Sequence, residues 1–131
     1  MLSRKGLNMS DEFKISLAQL NATVGDLSGN TQKVMEAWEI ARDQRSDLIA
    51  FPELFITGYN PQDLILKTAF QKAATSSIDQ IAKACAQGPA IAIGGPFYDE
   101  NKLYNSYFIL ADGKIQAVIK KHHLPNEEVF D

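Results

Sequence analysis

At 131 residues, with 45% hydrophobic and 22% charged residues, the chain has the composition of an ordinary one-domain globular protein. Its net charge of -3 and pI near 5.3 are mildly acidic and well mixed, which argues against a nucleic-acid or membrane-binding surface. No apolar run approaches the roughly 18 residues of a transmembrane helix, the opening "MLSRKGLNMSDEF" lacks the apolar core of a secretory signal, and a single cysteine, Cys85, excludes an internal disulfide and fits a reducing, cytoplasmic compartment.

Residues 1–12 read as a polar, flexible tail, within which Met9 could also serve as a start. "FKISLAQL" (13–20) alternates Phe13, Ile15 and Leu17 with polar or small neighbours, the period of a strand. The turn-rich "NATVGDLSGN" follows. Asn30 or Thr31 is placed to cap a helix running to about Arg45, with Val34, Ala37, Trp38 and Ala41 at helical spacing. "DLIAF" (47–51) is a short, continuous apolar run, as expected of a strand covered on both faces. After "GYNP", the stretch "PQDLIL" predicts a short helical turn begun by Pro61. A longer helix is expected from about Thr68 to Gln87, with Phe70, Ala74, Ile78, Ile81 and Cys85 along one side and Gly88-Pro89 ending it. "PAIAIGGP" (89–96) reads as a buried strand stopped by its glycines and proline. "LYNSYFIL-ADG-KIQAVIKKHHL" reads as a hairpin turning at Asp112-Gly113. This order predicts an α/β fold, a mixed sheet with helices packed against it. Nothing in "LPNEEVFD" supplies a helix or strand to cover the last hairpin, so the sequence reads as the first part of a larger domain.

Glu53 is the first candidate for chemistry. It follows a strand and Pro52, and ligand sites in helix-covered sheets gather beyond the carboxyl ends of strands. Among Phe51, Leu54 and Phe55 its charged form would be disfavoured by desolvation, which moves a carboxylate toward the range of a general base. The plainer alternative is an acid that caps the turn or pairs with a lysine or arginine. Lys120 and Lys121 end the strand "KIQAVIKK". Residue spacing leaves both open, although on a strand they face opposite ways and only one can enter a given site. His122 and His123 diverge for the same reason and have no Cys/His/carboxylate cluster beside them, so no metal site is expected. "GDLSGN" lacks the signature of a phosphate loop. Cys85, on the apolar side of its helix with Ile78 and Ile81, reads as an inert core residue.

In their order and spacing, "FPELFITGYNPQDLIL", "GGP…LYNSYFILADGKI" and "KKHHLPNEEVFD" resemble the nitrilase-like carbon–nitrogen hydrolase superfamily. "GYNPQDL" and "K-x-x-LPN-x-x-VFD" look most like the glutamine amidotransferase domain found in glutamine-dependent NAD+ synthetases. The resemblance runs from about Phe13 to Asp131 and implies the N-terminal portion of an α-β-β-α sandwich, with residues 13–131 a truncated glutaminase domain. It also implies that Glu53 is the catalytic base and that Lys121, three residues before the leucine of "LPN", is the catalytic lysine. The nucleophilic cysteine would lie further along and is not in this chain. L-glutamine would be the substrate of such a domain. The domain needs no cofactor of its own, whereas the full-length synthetase would use ATP, Mg2+ and deamido-NAD and would be a homo-oligomer. Where relatives carry a substrate-contacting tyrosine after "LPN", this sequence has Glu127, and either Glu127 or Glu128 could be the family's further glutamate. Two other readings compete: another carbon–nitrogen hydrolase, such as an ω-amidase or carbamoylase, and a non-catalytic module that binds a partner through its open sheet edge.

Overall fold

The alternation and helical spacing are realised as seven elements in a computed structural model that describes residues 12–58 and 67–124, the side chains of residues 122–124 excepted. Strand β1 (Ile15–Leu17) is followed by helix α1 (Leu27–Asp43), strand β2 (Leu48–Ala50), helix α2 (Thr68–Ala84) and strands β3 (Ala90–Asp99), β4 (Lys102–Ala111) and β5 (Lys114–Leu124). The five strands lie in sequence order in one sheet. β1, β2 and β3 are parallel, while β3–β4 and β4–β5 are antiparallel hairpins. Both parallel crossovers step the same way across the sheet, and right-handed connections then put α1 and α2 on the same face.

That face holds the core. Val34, Trp38 and Ala41 of α1 and Ala74, Ile78, Ile81 and Ala82 of α2 pack on Ile49, Ile91, Ile93, Phe108 and Leu110 of the sheet. The cover expected on both faces of β2 is present on one only among the described residues. Leu48 and Ala50 stay half-buried on the other side, and Ile15 and Leu17 beside them are 52% and 72% exposed. An unbroken apolar run reports that both faces avoid water, not which element covers each.

The strand expected over 13–20 is only Ile15–Leu17, the second helix ends at Ala84 rather than near Gln87, and two further predicted boundaries move for a visible reason. α1 begins at Leu27, capped by Asp26, whose Oδ1 accepts from the Gly29 amide at 3.0 Å. Asn30 and Thr31, the two expected caps, lie inside the helix, and Asn30 is fully buried. The Asn30 Oδ1 accepts from the Thr23 amide at 2.8 Å, and its Nδ2 donates to the carbonyls of Thr23 at 2.8 Å and Ile56 at 3.0 Å. Asn30 thus ties the loop before α1 to the loop after β2. Asn30→Ala strands these backbone groups in the interior and is expected to cost about 2–3 kcal/mol. Thr31→Val, which removes a buried hydroxyl that has no partner among the described residues, is expected to be nearly neutral. Urea titrations of both variants read this difference.

The second boundary is β3, which runs through Gly94, Gly95 and Pro96 to Asp99 rather than stopping there. Even-numbered residues of β3 turn their backbone groups toward β2: the Ala90 amide donates to Asp47, and Ala92 and Gly94 accept from Phe51 and Ile56. Pro96 continues that alternation past the end of β2. Its missing N–H therefore leaves the ladder to β4 intact. The turns Glu100-Asn101 (φ 49° and 64°) and Asp112-Gly113 (φ 55° and 83°) have both central residues left-handed, the pattern of the two-residue hairpin turn. The short helical turn expected at "PQDLIL" and, Glu12 apart, the tail expected at residues 1–12 lie outside the described residues.

Candidate active site

Glu53 stands in a turn that the surrounding fold holds from three sides. β2 ends at Ala50, and Phe51 still pairs with β3 through its amide to the Ala92 carbonyl at 2.8 Å. The chain then folds over residues 53–57 with Leu54 at φ 52°, a left-handed conformation that costs a leucine about 1 kcal/mol. Phe51, Leu54, Phe55 and Ile56 are all buried. Backbone bonds from Ile56 to Gly94 (3.2 Å) and from Gly25 to Thr57 (2.9 Å), with the Asn30 bridge to Ile56, fasten the turn. The apolar residues are drawn inward, and Glu53 is left projecting over the sheet face opposite the helices. There it is 31% exposed and ion-paired, so the apolar desolvation expected from its sequence neighbours is not its environment.

Lys121 reaches this carboxylate from the far end of the sheet. On β5, Lys120 pairs with Ser106 and His122 with Asn105, so Lys121 is the extra residue of a β-bulge. Its Nζ donates to Glu53 Oε2 at 2.8 Å and lies 5.2 Å from the centre of the Tyr107 ring. Lys120 faces the other way, as alternation requires, with its Nζ 2.8 Å from Asp99 Oδ2 and 5.0 Å from the centre of the Tyr104 ring. Hydrogen bonding to Glu53 is the chief cause that raises the Lys121 pKa, against a smaller downward effect of desolvation. Lys121 is therefore an ammonium at neutral pH, fit to stabilise negative charge and unfit to act as a base.

The other candidates separate from this pair. Cys85 caps the C-terminus of α2, 6% exposed and within the core on the helix-covered face. Burial first, then the negative charge of Glu39, pushes its thiol up to about 11, with Arg42 opposing. Glu127 and Glu128 lie outside the described residues, as do the side chains of His122 and His123. Among the described residues no cluster of three or more His, Cys, Asp or Glu could hold a metal ion, and no helix is long and apolar enough to cross a membrane. Tyr107 was not singled out by the sequence, where it is one more residue of an alternating strand.

A carboxylate and an ammonium in contact, on an open face at the ends of β2 and β5, can move a proton and steady an oxyanion. Comparison with known proteins supplies the context. Residues 14–130 match the carbon-nitrogen hydrolase family model. A glutamine-dependent NAD(+) synthetase of Rhodobacter capsulatus is 49% identical over 123 residues, and one of Aquifex aeolicus is 42% identical over 120. These alignments take in 94% and 91% of this chain but only 22% and 21% of the relatives, so the chain spans about a fifth of their length. The solved glutamine-dependent NAD(+) synthetase of Cytophaga hutchinsonii superposes with a TM-score of 0.79 at 27% identity, over 87% of this chain and 20% of that one. An amidase from Nesterenkonia sp. shares the fold, with a TM-score of 0.74 at 23% identity over 95% of this chain and 49% of that one. The chain belongs to the carbon-nitrogen hydrolase family.

Proposed function

We propose that residues 13–131 are the N-terminal portion of the glutaminase domain of a glutamine-dependent NAD+ synthetase, contributing its general base and its cationic stabiliser. The 2.8 Å contact between Glu53 and Lys121, made on an accessible face of the sheet, is the observation that carries this reading. Similarity to synthetases at up to 49% identity supports the substrate class.

In this mechanism the Glu53 carboxylate takes the proton of a cysteine thiol, and the thiolate attacks the side-chain carbonyl carbon of glutamine. The Lys121 ammonium stabilises the resulting oxyanion electrostatically. As the carbon–nitrogen bond breaks, Glu53 returns the proton to the departing ammonia, leaving a thioester. Glu53 then accepts a proton from water as the water attacks the thioester, releasing glutamate and the thiol. The ammonia would amidate deamido-NAD in an ATP-dependent reaction of the whole enzyme. ATP and Mg2+ would serve that reaction, and one solved relative was determined in complex with adenosine diphosphate. The whole enzyme would be a cytoplasmic homo-oligomer.

Cys85 is the single cysteine of these 131 residues and, buried in the core, is unsuited to be the nucleophile. With its thiol near 11, about one part in a thousand is thiolate at pH 8. The purified chain is therefore expected to release no ammonia from glutamine and to resist alkylation by iodoacetamide until it is unfolded. When the chain replaces the matching segment of the R. capsulatus synthetase, glutamine-dependent NAD+ formation is expected to persist. Ammonia release by the isolated chain that disappears in Cys85→Ala would overturn the assignment, as would a chimera that is folded and ammonia-competent but unable to use glutamine.

A further inference from the structure

Tyr107 touches Lys121 and the strand end that leads into Glu53, although 14 positions in sequence separate it from Lys121 and 56 from Phe51. It lies on β4 opposite Gly94 of β3 and Ile119 of β5, with its side chain on the face away from the helices. Its hydroxyl donates to the Phe51 carbonyl at 3.1 Å, two residues before Glu53, where the chain leaves the sheet. Its ring lies under the Lys121 ammonium, 5.2 Å from centroid to Nζ. Gly94, its partner in register, has the Glu53 and Leu54 backbone resting directly on it.

We infer that Tyr107 is the positioning residue of the catalytic pair, fixing the approach of Glu53 through its hydroxyl and the approach of Lys121 through its ring. The physical need is clear from the two supports. Lys121 sits at a bulge, where the ladder to β4 supplies it no partner residue, so its direction is not set by strand pairing alone. Glu53 sits in a turn whose first carbonyl, that of Phe51, has passed the last paired residue of β2. One side chain on the strand between them holds both. A cation over an aromatic face is attracted by the ring quadrupole without losing its hydrogen-bond donors, so Lys121 keeps its bond to Glu53 while it rests on Tyr107. Among the described residues the groups that face Lys121 electrostatically are the Glu53 carboxylate and, at high pH, the phenol of Tyr107 itself, while Lys120 and Asp99 pair on the opposite face.

The inference rests on the reading of Glu53 and Lys121 as the catalytic pair, and its test separates the two. In the 131-residue chain, the titration of the Lys121 Nζ is followed by NMR in Tyr107→Phe, Tyr107→Leu and Glu53→Gln. Tyr107→Phe keeps the ring and is expected to leave the titration nearly unchanged while shifting the Glu53 and Leu54 amide resonances. Tyr107→Leu removes the ring and is expected to move the Lys121 midpoint downward. In the chimeric synthetase, Tyr107→Phe is expected to lower kcat for glutamine about two- to tenfold, as for one lost hydrogen bond. Tyr107→Leu is expected to lower it about 10- to 100-fold, as for a misplaced catalytic group. KM should change little in both, and ammonia-dependent turnover should be unaltered. A Lys121 titration and Glu53 amides indifferent to both Tyr107 variants would overturn the inference, and so would wild-type kcat in Tyr107→Leu. If instead Glu53→Gln retains full glutamine-dependent turnover, the catalytic reading fails, and the NMR result alone then decides whether Tyr107 fixes the pair.

Discussion

Glu53→Gln in the chimeric synthetase is expected to lower glutamine-dependent NAD+ formation by about 10²–10⁴-fold, the range typical of a lost general base. Ammonia-dependent formation should be unchanged. Glutamine is close to isosteric with glutamate, so Asn30, Gly94 and the buried Phe51, Leu54 and Phe55 that hold the turn should stay in place. What the substitution removes is the negative charge and the ability to accept a proton. The amide oxygen can still accept from Lys121 at the position of Oε2, although without the charge-assisted strength of the native bond. The comparison of nitrogen sources isolates the chemistry: free ammonia bypasses the hydrolysis of glutamine, and a variant that had merely unfolded would lose both. Parallel loss with glutamine and with ammonia would report an unfolded variant, whereas equal retention of both would count against the proposed role.

Gly94→Ala is expected to be strongly damaging for so small a change, costing about 3 kcal/mol or more and lowering the melting temperature by about 10 °C. A Cβ at Gly94 would run into the backbone nitrogen of Leu54 and come within 2.9 Å of the Glu53 Cα and carbonyl carbon. Backbone atoms cannot rotate aside, so the whole turn must lift off the sheet. Glu53 would move with it and away from Lys121. Gly95→Ala supplies the control. Its Cβ would meet side-chain atoms rather than backbone, Ile56 Cγ2 and Ile78 Cδ1 at 3.0 Å, and a shift of a few tenths of an ångström relieves the contact at a smaller cost. The neighbouring glycines thus separate by thermal denaturation and by the Lys121 titration. A Gly94→Ala protein as stable as wild type, with an unchanged Lys121 titration, would show that the turn does not bear on Gly94.

Much of the architecture is legible without coordinates because it depends on neighbours in sequence. Val34, Trp38 and Ala41 disclose one buried helix face, and Ala74, Ile78 and Ile81 another. Asp112-Gly113 discloses a hairpin turn, since few other pairs tolerate two left-handed residues. The errors arise where a residue has two competing uses. Asn30 has the chemistry of a helix cap but spends its amide on Thr23 and Ile56, a partner 26 positions away. Pro96 looks like a strand terminator until the side of the strand that lacks a neighbour is known.

The chemistry divides in the same way. From its residues alone the chain specified which groups could act: an acid beyond the end of a buried strand, two adjacent lysines facing apart, and a cysteine among apolar neighbours. Family resemblance named Lys121 over Lys120. The tertiary structure alone decided that Lys121 meets Glu53 across 68 positions, that the acid is half-open and ion-paired rather than desolvated, and that Tyr107 touches both Lys121 and the Phe51 carbonyl just before Glu53. The reason is physical: periodicity reports the face on which a side chain lies, whereas its partner depends on sheet order, register and a one-residue bulge. Those are properties of several strands at once, and no local stretch of sequence contains them.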